Sequence, residues 1–134
     1  MKITNIKTQI VSLPFKKTIT TAIHTMSSVG CVLLTIETNE GIEGQSYLFS
    51  LNSSNIDAYN EALVSFSSKL IGKDPQFVKT IWQDIWSIID LAGRSHIAIS
   101  ALSTIDTALW DINAKTANLP LHRLFGFSRS KIKT

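Results

Sequence analysis

The sequence predicts an α+β domain: a three-stranded antiparallel meander followed by a three-helix bundle. Three observations carry this reading. Apolar residues alternate with period two up to Phe49, they recur with helical period beyond it, and the two regimes do not interleave. Strands first and helices afterwards build a sheet covered by helices, whereas a parallel α/β sheet requires the two to alternate.

Ile6, Thr8 and Ile10 alternate with Lys7, Gln9 and Val11, giving a first strand that ends near Pro14. A second strand runs from about Val29 to Thr38, with Val32, Leu34 and Ile36 on one face. Asn39-Glu40-Gly41 is a short turn signal, and Ile42 to about Phe49 is a third strand, so the second and third form a hairpin. Gly44 inside that strand predicts a bulge or a close backbone approach. Ile56, Tyr59, Leu63, Phe66 and Leu70 make one helical stripe, capped by Ser54 or Asn55 and closed by Gly72. Asp74-Pro75 opens a second helix whose stripe is Phe77, Ile81, Ile85 and Ile88, widened by Val78, Trp82 and Trp86. After a loop containing Gly93, Ser95 caps a long third helix that packs through Ala98, Ala101, Ile105, Ala108, Leu109 and Ile112. Asn118 and Pro120 stop it.

A chain of 134 residues fits one domain with a real hydrophobic core. An apolar fraction of 44% against 17% charged residues excludes a disordered tail. No apolar run approaches the roughly 20 residues that cross a bilayer, so no membrane partner is expected. Met1-Lys2-Ile3-Thr4-Asn5 lacks the apolar core of a signal peptide, which predicts a cytoplasmic protein. The one cysteine, Cys31, excludes an internal disulfide framework and reads as a small buried residue. The net charge of +3 is uneven, because Arg123, Arg129, Lys131 and Lys133 follow His122 with no acid among them. This basic tail has no aromatic platform and no binding motif, so no nucleic-acid partner is expected. Asn52-Ser53-Ser54 matches a glycosylation acceptor, a chance match without a secretion signal. Repeats, low-complexity segments and phosphate-binding glycine loops are absent from the sequence.

The chemically capable side chains do not form a constellation. His24 has two readings: an exposed loop histidine without a role, or a group that orients a substrate carboxylate. His96 and His122 read as surface residues at a helix start and beside a helix end. No histidine pair or His/carboxylate pair has metal-ligand spacing on one helix face, so neither a catalytic residue nor a metal site is expected. Asp106 and Asp111 lie about 140° apart around a helix of 3.6 residues per turn and do not converge. Asp111 and Lys115 make an i,i+4 pair worth at most about half a kcal/mol. Asp106 falls within the apolar face beside Ile105 and Leu109, and if buried is expected to bond loop amides or Arg123. Trp82, Trp86 and Trp110 sit at helical spacing within apolar stripes and read as core or interface packing rather than a ligand cage.

Three segments carry a resemblance. Ile97-Ala98-Ile99-Ser100-Ala101-Leu102-Ser103-Thr104-Ile105-Asp106-Thr107-Ala108-Leu109-Trp110-Asp111-Ile112, closing with Leu119-Pro120-Leu121-His122-Arg123-Leu124-Phe125-Gly126, resembles the last helix of an enolase-superfamily amino-terminal domain. The likeness is to the mandelate racemase and muconate-lactonising group. Gly41-Ile42-Glu43-Gly44-Gln45-Ser46-Tyr47-Leu48-Phe49 resembles the third strand of that domain, in a form nearest to mandelate racemase. Thr20-Thr21-Ala22-Ile23-His24-Thr25 resembles the mobile loop that follows its first strand.

The resemblance implies a capping domain over residues 1–126, with 127–134 as the start of a missing (β/α)-barrel whose first strand would begin at Lys131-Ile132-Lys133-Thr134. Such barrels hold their chemistry at the carboxy-terminal ends of the strands. Family members remove a proton α to a carboxylate with a lysine or histidine base, and Mg²⁺ stabilises the enediolate. The metal ligands and bases belong to the barrel. Mg²⁺ and a carboxylate substrate are therefore implied for a full-length parent, with no cofactor for this chain. The cap's own part is substrate selection through two loops, about Lys16 to Ser28 and about Tyr47 to Asn55. By position, Ile19 and Met26 match apolar wall residues, while Thr20, Thr21 and His24 give a polar rim suited to a hydroxylated acid. Leu51 falls where mandelate racemase carries an aromatic residue, which argues against mandelate as the substrate. The implied partner is the barrel. The alternative is a freestanding interaction or dimerisation module whose apolar face is covered by a partner or a second copy.

Overall fold

Three antiparallel strands, β1 (Ile3–Thr20), β2 (Thr25–Thr38) and β3 (Glu43–Leu51), form a meander with β2 in the middle. They are followed by α1 (Ile56–Phe66), a 3₁₀ turn (Ser67–Lys69), α2 (Val78–Ala92), α3 (His96–Thr116) and the single-turn α4 (Leu121–Leu124). This computed structural model describes residues 1–127, 129 and 131. Except for Lys131, the barrel-strand start expected at 131–134 lies outside the described residues. The meander and its helical cover are as expected, with α4 as an addition.

The register explains which face is buried. Ile36 of β2 pairs with Ile6 on one side and Gly44 on the other, and Val32 pairs with Ile10 and Leu48. Residues opposite one another share a face, so Val32, Leu34, Ile36 and Leu48 all meet the helices, and all are buried. Onto them pack Leu63, Phe66 and Leu70 after β3, then Ile81 and Ile85 of α2, and Ile105, Leu109 and Ile112 of α3. Each fully buried Leu or Ile contributes about 1.5–3 kcal/mol.

Several boundaries differ from the sequence reading. β1 continues past Pro14 because it is an edge strand, where a missing N–H costs no ladder bond. The ladder slips between Pro14 and Ile19, then resumes as Ile19↔Met26 and Thr20↔Thr25. The first expected loop is therefore mostly a two-stranded arm. α2 begins at Val78 rather than at Asp74-Pro75. These residues form a turn instead, in which Gln76 N donates to Asp74 Oδ1 (3.0 Å) and Phe77 N to Asp74 O (3.1 Å). The later start moves the buried stripe to Val78, Ile81, Ile85 and Ile89, and leaves Phe77 exposed and Ile88 at the surface. Neither Ser54 nor Asn55 caps α1 with its side chain, because Asn55 is left-handed (φ 58°). Ser95 does cap α3, accepting from Ala98 N at 3.2 Å.

α3 is fixed to β3 by polar bonds as well as packing. Asp111 Oδ2 accepts from Gln45 N (2.8 Å) and from Lys115 Nζ (2.7 Å), and Lys115 Nζ also donates to the Glu43 carbonyl (2.7 Å). The expected i,i+4 pair thus also covers the free edge of β3. Asp111→Ala removes the acceptor of the Gln45 amide and is expected to lower unfolding free energy by about 0.5–1.5 kcal/mol in urea titration. A change within a few tenths would show that water replaces the carboxylate without cost.

Candidate functional site

The two arms project from the same end of the sheet. The first is the β1–β2 tip, where Thr21 and His24 close the turn: Thr21 N donates to His24 O (2.8 Å) and His24 N to Thr21 Oγ1 (3.0 Å). Ile23 stands outermost and is 82% exposed. The second arm follows β3. Asn52, Ser53 and Asn55 all adopt left-handed backbone, at φ 56°, 53° and 58°. Asparagine tolerates this region better than most residues.

Contacts between the arms are close. Asn52 N donates to Ser28 O (2.9 Å), while its side chain accepts from Ser27 N (2.9 Å) and donates to Thr25 O (2.8 Å). Ser53 lies over Gly30, where an added Cβ would meet Ser53 Oγ at 2.7 Å and Cα at 2.8 Å. Ser50 Oγ donates to Ser54 O (2.5 Å) and tightens the turn into α1.

His24, Met26, Leu51, Asn52 and Ser54 line a cleft of about 270 Å³ between the arms. Of the seven residues singled out in the sequence, His24, Met26 and Leu51 meet there. Ile19 and Thr20 stand one strand away, opposite Met26 and Thr25, and Thr21 is bonded within the tip. Tyr47 lies elsewhere, beside Leu13, Leu33 and Phe49 in a shallow apolar depression of about 450 Å³ on the sheet face away from the helices. Asn52 and Ser54 were not selected from the sequence. Their signal is the run Asn52-Ser53-Ser54-Asn55, four residues of turn-forming type.

The remaining polar candidates are dispersed. His96 meets Tyr59 edge-on (6.2 Å) and His122 meets Phe127 (5.2 Å). Trp82 stacks on Trp86 at 5.0 Å with Arg94 over the Trp86 ring, and Trp110 packs edge-on against Phe125. Among the described residues no group of three or more His, Cys, Asp or Glu side chains could hold a metal ion. The donors present therefore do not fit a Mg²⁺ site, and no chemical step of this chain is assigned to the metal. No helix of the described residues is long and apolar enough to cross a membrane.

Asp106 is half-buried rather than buried. It lies in a narrow crevice with Ile81, Trp82, Leu102, Ile105 and Leu109. Arg123 instead sits over the Phe127 ring, 5.8 Å from its centroid. Partial burial raises the Asp106 carboxyl above the usual range. A raised folded-state pKa means the folded chain holds this proton more tightly than the unfolded chain. Stability contributed by Asp106 is therefore lost as pH rises from the unfolded pKa through the folded one. Asp106→Asn is accordingly expected to raise Tm modestly at neutral pH and to make no difference well below the ordinary aspartate pKa. Thermal melts across pH check this, and a neutral-pH loss of Tm would show that the carboxylate is stabilising.

The fold and the paired arms define a helix-backed meander that presents a two-walled cleft at one end. The chain belongs to the mandelate racemase / muconate lactonizing enzyme family, and residues 4–126 match its N-terminal domain. It is 30% identical over 125 residues to 3,6-anhydro-alpha-L-galactonate cycloisomerase of Streptomyces coelicolor, covering 92% of this chain and 35% of the relative. It is 32% identical over 108 residues to L-talarate/galactarate dehydratase of Salmonella typhimurium, covering 81% and 27%. The chain thus spans about a third or less of these curated relatives. Among solved structures, L-talarate dehydratase from Polaromonas sp. JS666, complexed with Mg and L-glucarate, superposes with a TM-score of 0.90 at 27% identity, covering 98% of this chain and 37% of that one.

Proposed function

We propose that this chain is the substrate-selecting cap of a Mg²⁺-dependent enzyme that removes a proton α to a carboxylate, a racemase or acid-sugar dehydratase whose catalytic barrel lies on further polypeptide. The observation that carries the reading is the shared cleft: His24 and Met26 from one arm face Leu51, Asn52 and Ser54 from the other. A cleft mixing imidazole, amide and hydroxyl groups with Met and Leu suits a polyhydroxylated carbon chain. The hydroxyls find donors and acceptors while the C–H edges meet apolar walls. The sugar-acid names of the relatives support this class over an aromatic acid, as does Leu51 at the apolar wall. In this reading Ile19, Thr20 and Thr21 flank the approach, Tyr47 begins the second arm, and the base and metal ligands are the barrel's.

Reading the coding DNA past the Thr134 codon tests this. The expected result is a continuing frame of strand–helix units, with paired lysines on an early strand and Asp or Glu at the ends of later ones. A stop there, with no second product completing a barrel, would overturn it.

One observation favours a second reading, a freestanding self-associating module. The outer sheet face leaves Leu13, Leu33, Tyr47 and Phe49 between 40% and 64% exposed in one patch, more contiguous apolar surface than single scattered residues provide. Sedimentation of the 134-residue protein distinguishes the two. A discrete dimer supports the module, and a well-behaved monomer contradicts it.

A further inference from the structure

We propose that Asn52 is a positioning residue that joins the two arms into one element and fixes Met26 in the wall of the cleft. The proposal rests on reading the arms as substrate-contacting. The β2–β3 ladder ends at Val29↔Leu51. One residue further, Asn52 N still donates to Ser28 O at 2.9 Å. The backbone then turns left-handed at Asn52 (φ 56°) and leaves β2 on its way to α1. The side chain continues the pairing that the backbone abandons. Its Oδ1 accepts from Ser27 N and its Nδ2 donates to Thr25 O, the two peptide groups that flank Met26.

A primary amide is what this task requires. It offers a carbonyl acceptor and an N–H donor side by side, as a peptide group does, where a carboxylate offers only acceptors and a hydroxyl only one atom. Met26 is thereby gripped from the second arm while its own strand pairs it with Ile19 from β1. Ser53 seated over Gly30 prevents the turn from sliding along β2, since no side chain fits between them. The cleft width between Met26 and Leu51 then depends on the Asn52 side chain as well as on the backbone bond from Asn52 N to Ser28 O. Substitutions on either arm move both, so their effects on ligand choice do not add.

The test uses amide hydrogen exchange and Met methyl NMR on the whole chain, with two variants. Asn52→Gly keeps the left-handed backbone without strain but removes the amide. Asn52→Asp keeps the shape and the acceptor but loses the donor to Thr25 O. In Asn52→Gly, the Ser27 amide is expected to exchange about tenfold faster or more, while the amides of Val32 and Leu34 in the same strand are unchanged. In both variants the Met26 methyl resonance should shift while that of Met1 does not. Unchanged Ser27 exchange and an unmoved Met26 methyl would overturn the proposal. So would equal acceleration at Ser27 and Val32, which marks general loosening. If Asn52→Gly does not fold, the near-isosteric Asn52→Asp decides by the Met26 methyl alone. No ligand enters these measurements, so their outcome is separate from that of the functional reading, which the downstream coding sequence tests.

Discussion

Gly44→Ala is expected to cost about 3 kcal/mol, a large part of the roughly 5–15 kcal/mol that holds a domain folded. A Cβ at Gly44 would lie 2.1 Å from the Ala108 carbonyl oxygen and 2.6 Å from Ile112 Cγ1. The first of these is backbone in the middle of α3 and cannot swing aside as a side chain can. Relief would require α3 to lift from β3. That movement breaks the bonds from Gln45 N to Asp111 and from Ser46 Oγ to Thr104 O (2.7 Å), and opens the contact over Ile36 and Leu48. The buried alanines Ala101 and Ala108 belong to the same arrangement, small residues that let helix and strand backbones approach. Urea unfolding followed by circular dichroism measures the effect. A loss below about 1 kcal/mol would mean that α3 shifts freely, and the close approach would not be a requirement of the fold.

Ile105→Ala is expected to lose about 3–4 kcal/mol. Ile105 is 1% exposed and lies where α3 meets α2, beside Ile81, Leu102 and Leu109. Removing most of its side chain forfeits the transfer energy and leaves a cavity that two packed helices fill only partly. Leu91, 91% exposed near the end of α2, supplies the contrast. Leu91→Ala should fall within about half a kcal/mol of the parent in the same titration. Similar losses at the two positions would contradict the placement of the core between sheet and helices.

The alternation through Val32, Leu34 and Ile36 and the stripe through Leu63, Phe66 and Leu70 were legible because burial imposes periodicity directly on residue type. Gly44 was legible for a related reason, since a strand interior without a side chain implies that something comes close. The α2 start was not legible. Asp74-Pro75 suits a helix entry and a turn equally, and tertiary packing of Val78 and Ile81 decides between them. Pro14 misled in the other direction, because its effect depends on whether the strand is at an edge, a property of the sheet rather than of the segment. At the arms, the types of His24, Met26 and Leu51 could be placed only through family resemblance. Asn52 shows the limit most clearly. Its bonds reach Thr25, Ser27 and Ser28, and such a pairing leaves no periodic trace in either segment. The Asp111–Lys115 spacing predicted the ion pair but not its second task on the Gln45 and Glu43 backbone.

We propose that this chain selects a substrate and leaves the proton transfer to another domain. Incubating the purified 134-residue protein with galactarate and Mg²⁺ in deuterated water, and following the C–H signals α to the carboxylates by NMR, tests it most directly. The expected result is no exchange beyond that of the protein-free solution. Mg²⁺-dependent loss of the α-hydrogen signal would place a base and a metal site within these residues and contradict the account.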